Sequence, residues 1–416
     1  MLNEGLFMNA NCVFVERFVF GRKNADERFL LKRRSVMIKI KAGVIGTGFI
    51  GPAHIEALRR LGFVDVAALS DVDEKTSCEK AALFSIDKAY GDYKELLADG
   101  DISVVHICTP NHLHYVMSKE ALLSGKHIVC EKPLAMTYKE AQELVELARE
   151  KGLVNAVHFN LRFYPLVQQA KFMVAKGELG NILAVNGSYQ QDWLFYQTDY
   201  NWRLDSEFSG VSRAVADIGS HWLDTTEFIT GIKVNKVCAD FATFHKTRKK
   251  PLKPVETYTG KLLEASDYED VPIDTEDYAT ILLRYDNGAH GSLTVNQVAA
   301  GRKNRCYFEI YGDKKAIAWD SENPNDLWIG RRDGNNEIII RDPSLMHEEA
   351  RAFVVLPGGH TEGFADTSRQ MFLQIYRRIL ENANTDFPTF ADGAREMTLC
   401  EAILSSAKSE SWKTCD

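Results

Sequence analysis

The stretch Gly43–His54, GVIGTGFIGPAH, limits the possible folds more than any other part of the chain. It sets Gly46, Gly48 and Gly51 in a G-x-G-x-x-G array behind the apolar run IKAGVIG and ahead of AHIEALRRLG, whose apolar residues recur at helical spacing. A strand that passes at once into a helix around a phosphate needs these glycines. The first makes the tight turn, the second lets a pyrophosphate reach the backbone, and the third lets helix pack on strand. The helix N-terminus then offers amide donors and the positive end of its dipole. Phe49 and Ile50 belong to the same loop. Asp71 closes the next apolar run, DVAALSD, 20 residues after Gly51, where a carboxylate can accept from ribose hydroxyls. It would repel a 2′-phosphate, and no arginine follows in DVDEK, so NAD is expected in preference to NADP.

From Ile38 to about Ala156 short apolar strands alternate with amphipathic helices, the pattern of a parallel sheet covered on both faces. The rhythm then changes. Longer strands such as TEDYATILLRY, AHGSLTVNQVA and NRCYFEIYG follow, with hairpin turn signals at Asp286-Asn287-Gly288 and Gly312-Asp313. The fold class expected is α/β: a dinucleotide-binding domain over 37–157, then an α/β domain with a large open, mostly antiparallel sheet over 158–416. A length of 416 residues suits two cores. Residues 1–36, which carry seven basic and four acidic side chains, read as an extension outside the core fold. Charge breaks up their apolar run VFVERFVF, unlike a signal peptide. The basic, proline-broken HKTRKKPLKP (245–254) reads as a solvated loop.

A net charge of −8 gives no reason to expect a nucleic-acid or membrane partner, and no run has the length of a membrane span. The eight cysteines are scattered, with no C-x-x-C and no cysteine–histidine cluster. Reduced thiols in a cytoplasmic protein are expected, with no disulfide framework and no metal site.

Three further motifs carry chemistry. Cys108-Thr109-Pro110-Asn111-His112-Leu113-His114 ends the strand SVVHIC, where doubly wound sheets bind ligands, although Asn111 could equally cap the next helix. Glu131-Lys132-Pro133 ends the strand HIVC and faces the same crevice. In VADIGSHWLD, Asp217 and His221 stand four apart, one turn of a helix, with a carboxylate placed to orient an imidazole. Gly219 between them is costly in a helix and suggests a close approach to its backbone.

Together, GVIGTGFIGPAH, ICTPNHLH, VCEKPLA, FNLRFYP, GELGNI, WRLD and VADIGSH occur in order, and the sequence closely resembles the Gfo/Idh/MocA oxidoreductases from about Ile38 to its C-terminus. The resemblance implies a Rossmann domain followed by a sheet domain, with substrate held between them against a nicotinamide. It implies cofactor contacts from Gly46, Gly48, Phe49, Ile50, Gly51, Asp71, Thr109, Pro110, Asn111, His114, Glu131, Lys132 and Arg203. It also implies a catalytic trio: His221 as general base, Asp217 as its orienter, and Lys132 as donor to the reacting oxygen. Gly219 would lie close to substrate or cofactor.

Candidates for substrate contact are His158, Asn160, Arg162, Tyr164, Trp193 and Trp202, together with Gln191 and Asp192. Aromatic rings beside amides and charges suit a sugar, glycoside or cyclitol oxidised at a secondary hydroxyl. Related alternatives are a hydrolase that retains NAD and cleaves a glycoside through transient oxidation, and a silent NAD-binding regulator. By analogy the chain forms a homo-oligomer.

Overall fold

The computed structural model describes residues 40–252 and 265–415. The extension expected at residues 1–36 lies outside the described residues.

Strands β1 (Ile40–Ile45), β2 (Val64–Ser70), β3 (Lys88–Tyr90), β4 (Val104–Ile107), β5 (His127–Cys130) and β6 (Asn155–Val157) form one sheet in the order β3-β2-β1-β4-β5-β6. Every pairing in it is parallel. The helices between them are α1 (Gly51–Arg59), α2 (Glu74–Phe84), α3 (Tyr93–Ala98), α4 (His114–Leu123) and α5 (Tyr138–Lys151). Local chemistry sets several of their starts. Asp73 accepts from the Thr76 amide at the head of α2, and a Thr137–Glu140 capping box opens α5. The strand order reverses between β1 and β4, which opens a crevice at their carboxyl ends.

Helix α6 (Pro165–Ala175) leads into a nine-stranded sheet. Its strands are β7 (Ile182–Gln190), β8 (Val234–Ala242), β11 (Tyr278–Tyr285), β12 (His290–Asn296), β13 (Arg305–Gly312), β14 (Ala316–Asp320), β15 (Asp326–Gly330), β16 (Glu337–Ile340) and β17 (Lys413–Thr414). They run in the order β16-β15-β14-β13-β7-β12-β11-β8-β17. Only β7 and β12 pair in parallel; the two expected hairpins, β11–β12 and β13–β14, are antiparallel. The helix Ser220–Thr230 covers one face, with Trp222 fully buried and its indole N–H donating to the Tyr307 carbonyl at 2.8 Å.

The chain ends by returning to the parallel sheet. Met371, Phe372, Ile375 and Tyr376 of the helix Phe364–Glu381 join the core of β1, β2 and α1, while Phe390, Ala394 and Met397 of the next helix join the other face. Burial of this kind stabilises by roughly 25 cal/mol per Å² of apolar surface, so the C-terminal helices tie the two layers into one body.

The segment expected as a solvated loop differs. Residues Thr247–Pro251 form β9, which pairs with β10 (Tyr268–Pro272). Its alternation turns one basic residue inward. Arg248 is fully buried and donates to Asp277 Oδ1 at 2.9 Å and to the carbonyls of Tyr196 and Asp199.

Candidate active site

A cleft of about 470 Å³ opens at the carboxyl ends of β1, β4 and β5 and runs to the edge of the second sheet. At one end the β1–α1 turn forms the expected cradle. Gly46 sits at φ +88°, and a Cβ there would lie 2.8 Å from the Cys108 carbonyl oxygen. A Cβ on Gly51 would fall 2.2 Å from the Gly46 oxygen, so this glycine serves helix packing and does not line the cleft. Gly48 does line it, and a Cβ there would meet no protein atom within 4 Å. No side chain caps the first turn of α1, whose amides remain available to phosphate.

Asp71 closes the cradle. Oδ2 accepts from the Thr47 amide at 2.8 Å and from the Thr47 hydroxyl, and Oδ1 accepts from the Val72 amide at 2.8 Å. A carboxylate has about four acceptor positions, so Asp71 braces the glycine loop and keeps capacity for a ribose hydroxyl. These residues fit a dinucleotide.

Glu131 forms part of the cleft's lining, above a buried chain of histidines. His54 Nε2 lies 2.9 Å and His158 Nδ1 2.6 Å from Glu131 Oε1. His54 Nδ1 meets His106 Nδ1 at 2.9 Å, His106 Nε2 meets the Tyr376 hydroxyl at 3.1 Å, and His158 Nε2 meets Ser368 Oγ at 3.0 Å. One assignment of protons satisfies every atom. Tyr376 donates to His106, His106 to His54, His54 to Glu131, Ser368 to His158 and His158 to Glu131. It requires neutral imidazoles at His54 and His106 and an ionised carboxylate. Burial holds His54 neutral, lowering its pKa to about 4, and lowers that of His106 as well. Glu131 itself is held below the usual carboxylate range: burial opposes ionisation, and His158 and His54 outweigh it. His54, Glu131 and His158 converge closely enough to hold a cation, but the direct hydrogen bonds already satisfy the three groups.

At the far end of the cleft Lys132 Nζ donates to Asp217 Oδ1 at 2.8 Å and to the Asp217 carbonyl at 2.7 Å. Gln297 Nε2 donates to Asp217 Oδ2 at 2.9 Å, and Arg203 Nε stands 3.6 Å from Oδ1. Burial opposes the charge on Asp217, but Lys132 and then Arg203 overcome it and hold its pKa well below the ordinary value.

The geometry corrects the expected Asp217–His221 pairing. Residues Val215–Gly219 form a π turn, in which the Ser220 amide bonds the Val215 carbonyl. Both side chains still line the cleft, but no hydrogen bond joins them. His221 Nδ1 is buried without a hydrogen-bond partner, and the ring is held instead by packing, 5.6 Å from Phe159 and 6.3 Å from Tyr189. Burial, followed by the charge of Lys132, lowers the His221 pKa to about 3. Gly219 answers to packing as well: a Cβ there would press on Val295 of β12 at 3.3 Å, and Gly219 is not among the residues lining the cleft.

Thr109, Pro110, Asn111 and His114 line the cleft with Phe49 and Ile50. Asn111 does not cap α4; its side chain donates to the Ser209 carbonyl at 3.0 Å, tying the strand-end loop to the second domain. His114 lies between the carbonyls of Pro133 (2.7 Å) and Thr109 (2.8 Å). Among the expected substrate contacts, His158, Asn160, Gln191 and Trp202 line the cleft, and the Arg203 guanidinium stacks 4.5 Å from the Trp202 ring.

Arg162 and Tyr164 do not line the cleft. Arg162 is buried in ion pairs with Asp224 and Asp392, and Tyr164 packs in the sheet core against Trp319. Arg162 lies within the 3₁₀ turn Asn160–Phe163 and Tyr164 directly follows it, and this turn sends neighbouring side chains in different directions. Trp193 and Asp192 also stand behind the cleft wall, Trp193 donating to Gln191 Oε1 at 2.8 Å and Asp192 pairing with Lys303. Gln297, His54 and His106 escaped the sequence reading. Among these, only His54 lay inside a motif, at the end of GVIGTGFIGPAH.

A parallel sheet with a glycine cradle, joined to a mixed sheet that closes a polar cleft over it, defines a two-domain dinucleotide-dependent oxidoreductase. The family model described as the oxidoreductase family with an NAD-binding Rossmann fold matches residues 40–159, and the GFO/IDH/MocA C-terminal domain matches 167–318. Levoglucosan dehydrogenase of Pseudarthrobacter phenanthrenivorans is 30% identical over 390 residues, 90% of this chain and 98% of that protein. An oxidoreductase domain protein from Kribbella flavida has a TM-score of 0.83 at 30% identity, with 91% of this chain and 100% of that one covered. A levoglucosan dehydrogenase complex with NADH and levoglucosan has a TM-score of 0.81 at 28% identity, covering 91% and 99%. The chain belongs to the Gfo/Idh/MocA family and is an NAD-dependent oxidoreductase that works by hydride transfer. Among the described residues no helix is long and apolar enough to cross a membrane.

Proposed function

We propose that this enzyme transfers hydride between NAD and a secondary ring hydroxyl of a sugar, glycoside or cyclitol, with Lys132, Asp217 and His221 as the catalytic group. The observation that carries this reading is the Lys132–Asp217 pair beside His221, at the opposite end of one cleft from the glycine cradle. NAD, when bound, supplies the hydride acceptor.

The residues divide the remaining work. Alcohol oxidation develops negative charge on the substrate oxygen, and the Lys132 ammonium, aimed by Oδ1 and the backbone carbonyl of Asp217, stabilises it. His221 is neutral and therefore ready to accept the hydroxyl proton. Burial, and after it the Lys132 charge, suppresses imidazole protonation; alkoxide character between the two groups offsets the second of these, so the base strengthens as the reaction proceeds. In the reverse direction the same imidazolium protonates a reduced ketone.

Gln191, Asn160 and Trp202 supply amide groups and one aromatic face, which suits a polyhydroxylated ring. Relatives with carbohydrate names include levoglucosan dehydrogenase, and glucose-6-phosphate 3-dehydrogenase of Bacillus subtilis at 24% identity over 88% of this chain. The proposal extends to a cytoplasmic homo-oligomer without nucleic-acid or membrane partners.

The test is purified enzyme with NAD against anhydrosugars, aldoses, inositols and glycosides, followed by nicotinamide absorbance. Stoichiometric NADH for each ketone formed supports a dehydrogenase. Glycoside cleavage without net NADH would replace it with the NAD-retaining hydrolase reading.

A further inference from the structure

Gln297 directly follows β12 and is fully buried. Its Oε1 accepts from Arg213 Nη1 at 2.7 Å, while its Nε2 donates to Asp217 Oδ2 at 2.9 Å and lies 3.4 Å from Gln191 Oε1. Arginine has no acceptor, so Arg213 can pair only with the carbonyl end of the amide. The NH₂ end is thereby fixed toward Asp217. Arg213 cannot turn away, because Nη2 is held by Asp277 Oδ1 at 2.5 Å and Nε by Thr275 Oγ1 at 3.2 Å.

The groups facing the Asp217 carboxylate form a consistent set. Lys132 donates to Oδ1, Arg203 stands beside Oδ1, and Gln297 donates to Oδ2. The remaining titratable neighbours are the neutral imidazole of His221 and the buried phenol of Tyr189. Each of the hydrogen bonds received is one that only an anion fully uses; a proton on Oδ2 would face the N–H of Gln297.

We propose that Gln297, oriented by Arg213, is a positioning residue that keeps Asp217 an anion throughout turnover, leaving His221 as the group that exchanges a proton with substrate and Lys132 as the charge beside the reacting oxygen. The role of Asp217 in catalysis rests on the reading above; its locked charge state does not.

Carboxyl-¹³C aspartate labelling of the full chain, with Asp217→Asn to assign the signal, reads this charge directly. In the wild type the Asp217 signal stays that of a carboxylate across the acid range the fold tolerates. In Gln297→Glu a second carboxylate replaces the amide, the two share a proton, and the Asp217 titration moves to higher pH, its Ka falling at least tenfold. Gln297→Met keeps the volume but removes the donor, and should move it the same way, Ka falling roughly fivefold or more. This second variant also answers the question if Gln297→Glu fails to fold. Identical titrations in wild type and variants, or an Asp217 already protonated at neutral pH in the wild type, would overturn the proposal. If instead the titrations shift but Lys132→Ala and His221→Ala retain full turnover, the catalytic reading fails and the locked anion stands.

Discussion

Lys132 Nζ is shared between the side chain and the backbone carbonyl of Asp217, at 2.8 and 2.7 Å, so one ammonium fixes both a carboxylate and the turn that carries it. Removing it should therefore disturb more than a single charge. Lys132→Ala and His221→Ala should each lower kcat by about 10²–10⁴-fold, and in His221→Ala NAD affinity, read by fluorescence titration, should change little. The double variant should lose far less than the product of the two single losses, because both groups serve one proton transfer. A His221→Ala enzyme with near-normal kcat on its identified substrate would show that the imidazole only packs.

Asp71 both braces the glycine loop and is poised to meet a ribose. Asp71→Ser should weaken NAD binding by roughly 10- to 100-fold, the range for losing a charged hydrogen-bond partner. NADP should improve relative to NAD because the repulsive charge is gone. Comparative titrations with both cofactors decide it; a wild type that already prefers NADP defeats the assignment.

Arg162 is expected to matter for stability and not for chemistry. Its guanidinium pairs with Asp224 and Asp392 away from the cleft, and breaking a buried ion pair from one side costs about 3–5 kcal/mol. Arg162→Met should lower the denaturation midpoint and leave kcat/KM per folded molecule near the wild-type value. A selective rise in KM without loss of stability would return Arg162 to the substrate site.

The histidine chain predicts an acid-sensitive fold. His54 has its folded pKa lowered from 6.5 to about 4, so between those values the unfolded chain binds the extra proton. Stability from this group is complete above about 6.5 and is lost as pH falls toward 4, at roughly 1.4 kcal/mol per pH unit. Asp224 and Glu396, both raised by burial, contribute the opposite slope. The informative quantity is therefore a difference. Urea denaturation of wild type and His54→Gln across this window should show a shallower rise with pH in the variant, and parallel curves would count against the neutral-imidazole assignment.

How legible each part was depends on whether its chemistry is local. The glycine cradle, Asp71 and Lys132 sit at strand ends, where a motif and its structural context lie within a few residues of one another. The parallel sheet showed in its strand–helix rhythm for the same reason. Arg162 and Tyr164 misled because a 3₁₀ turn separates the directions of side chains that are adjacent in sequence. Arg248 misled because a strand hides every second residue and composition cannot say which. Gln297 gave no signal: its partners, Arg213 and Asp217, lie 84 and 80 positions away and meet it only through the folded sheet.

The π turn at Val215–Gly219 holds one residue more than an ordinary helical turn would. In effect it is an insertion that resets the helix's angular phase. Everything before it, including Arg213, keeps one bearing, and everything after it, from Ser220 onward, follows another. Deleting one residue there would let the segment anneal into a straight α-helix, rotating one part against the other by roughly 100°. Asp217 could then no longer face Lys132 while Trp222 kept its place under the sheet. The site thus depends on the length of this segment as much as on the residues it carries.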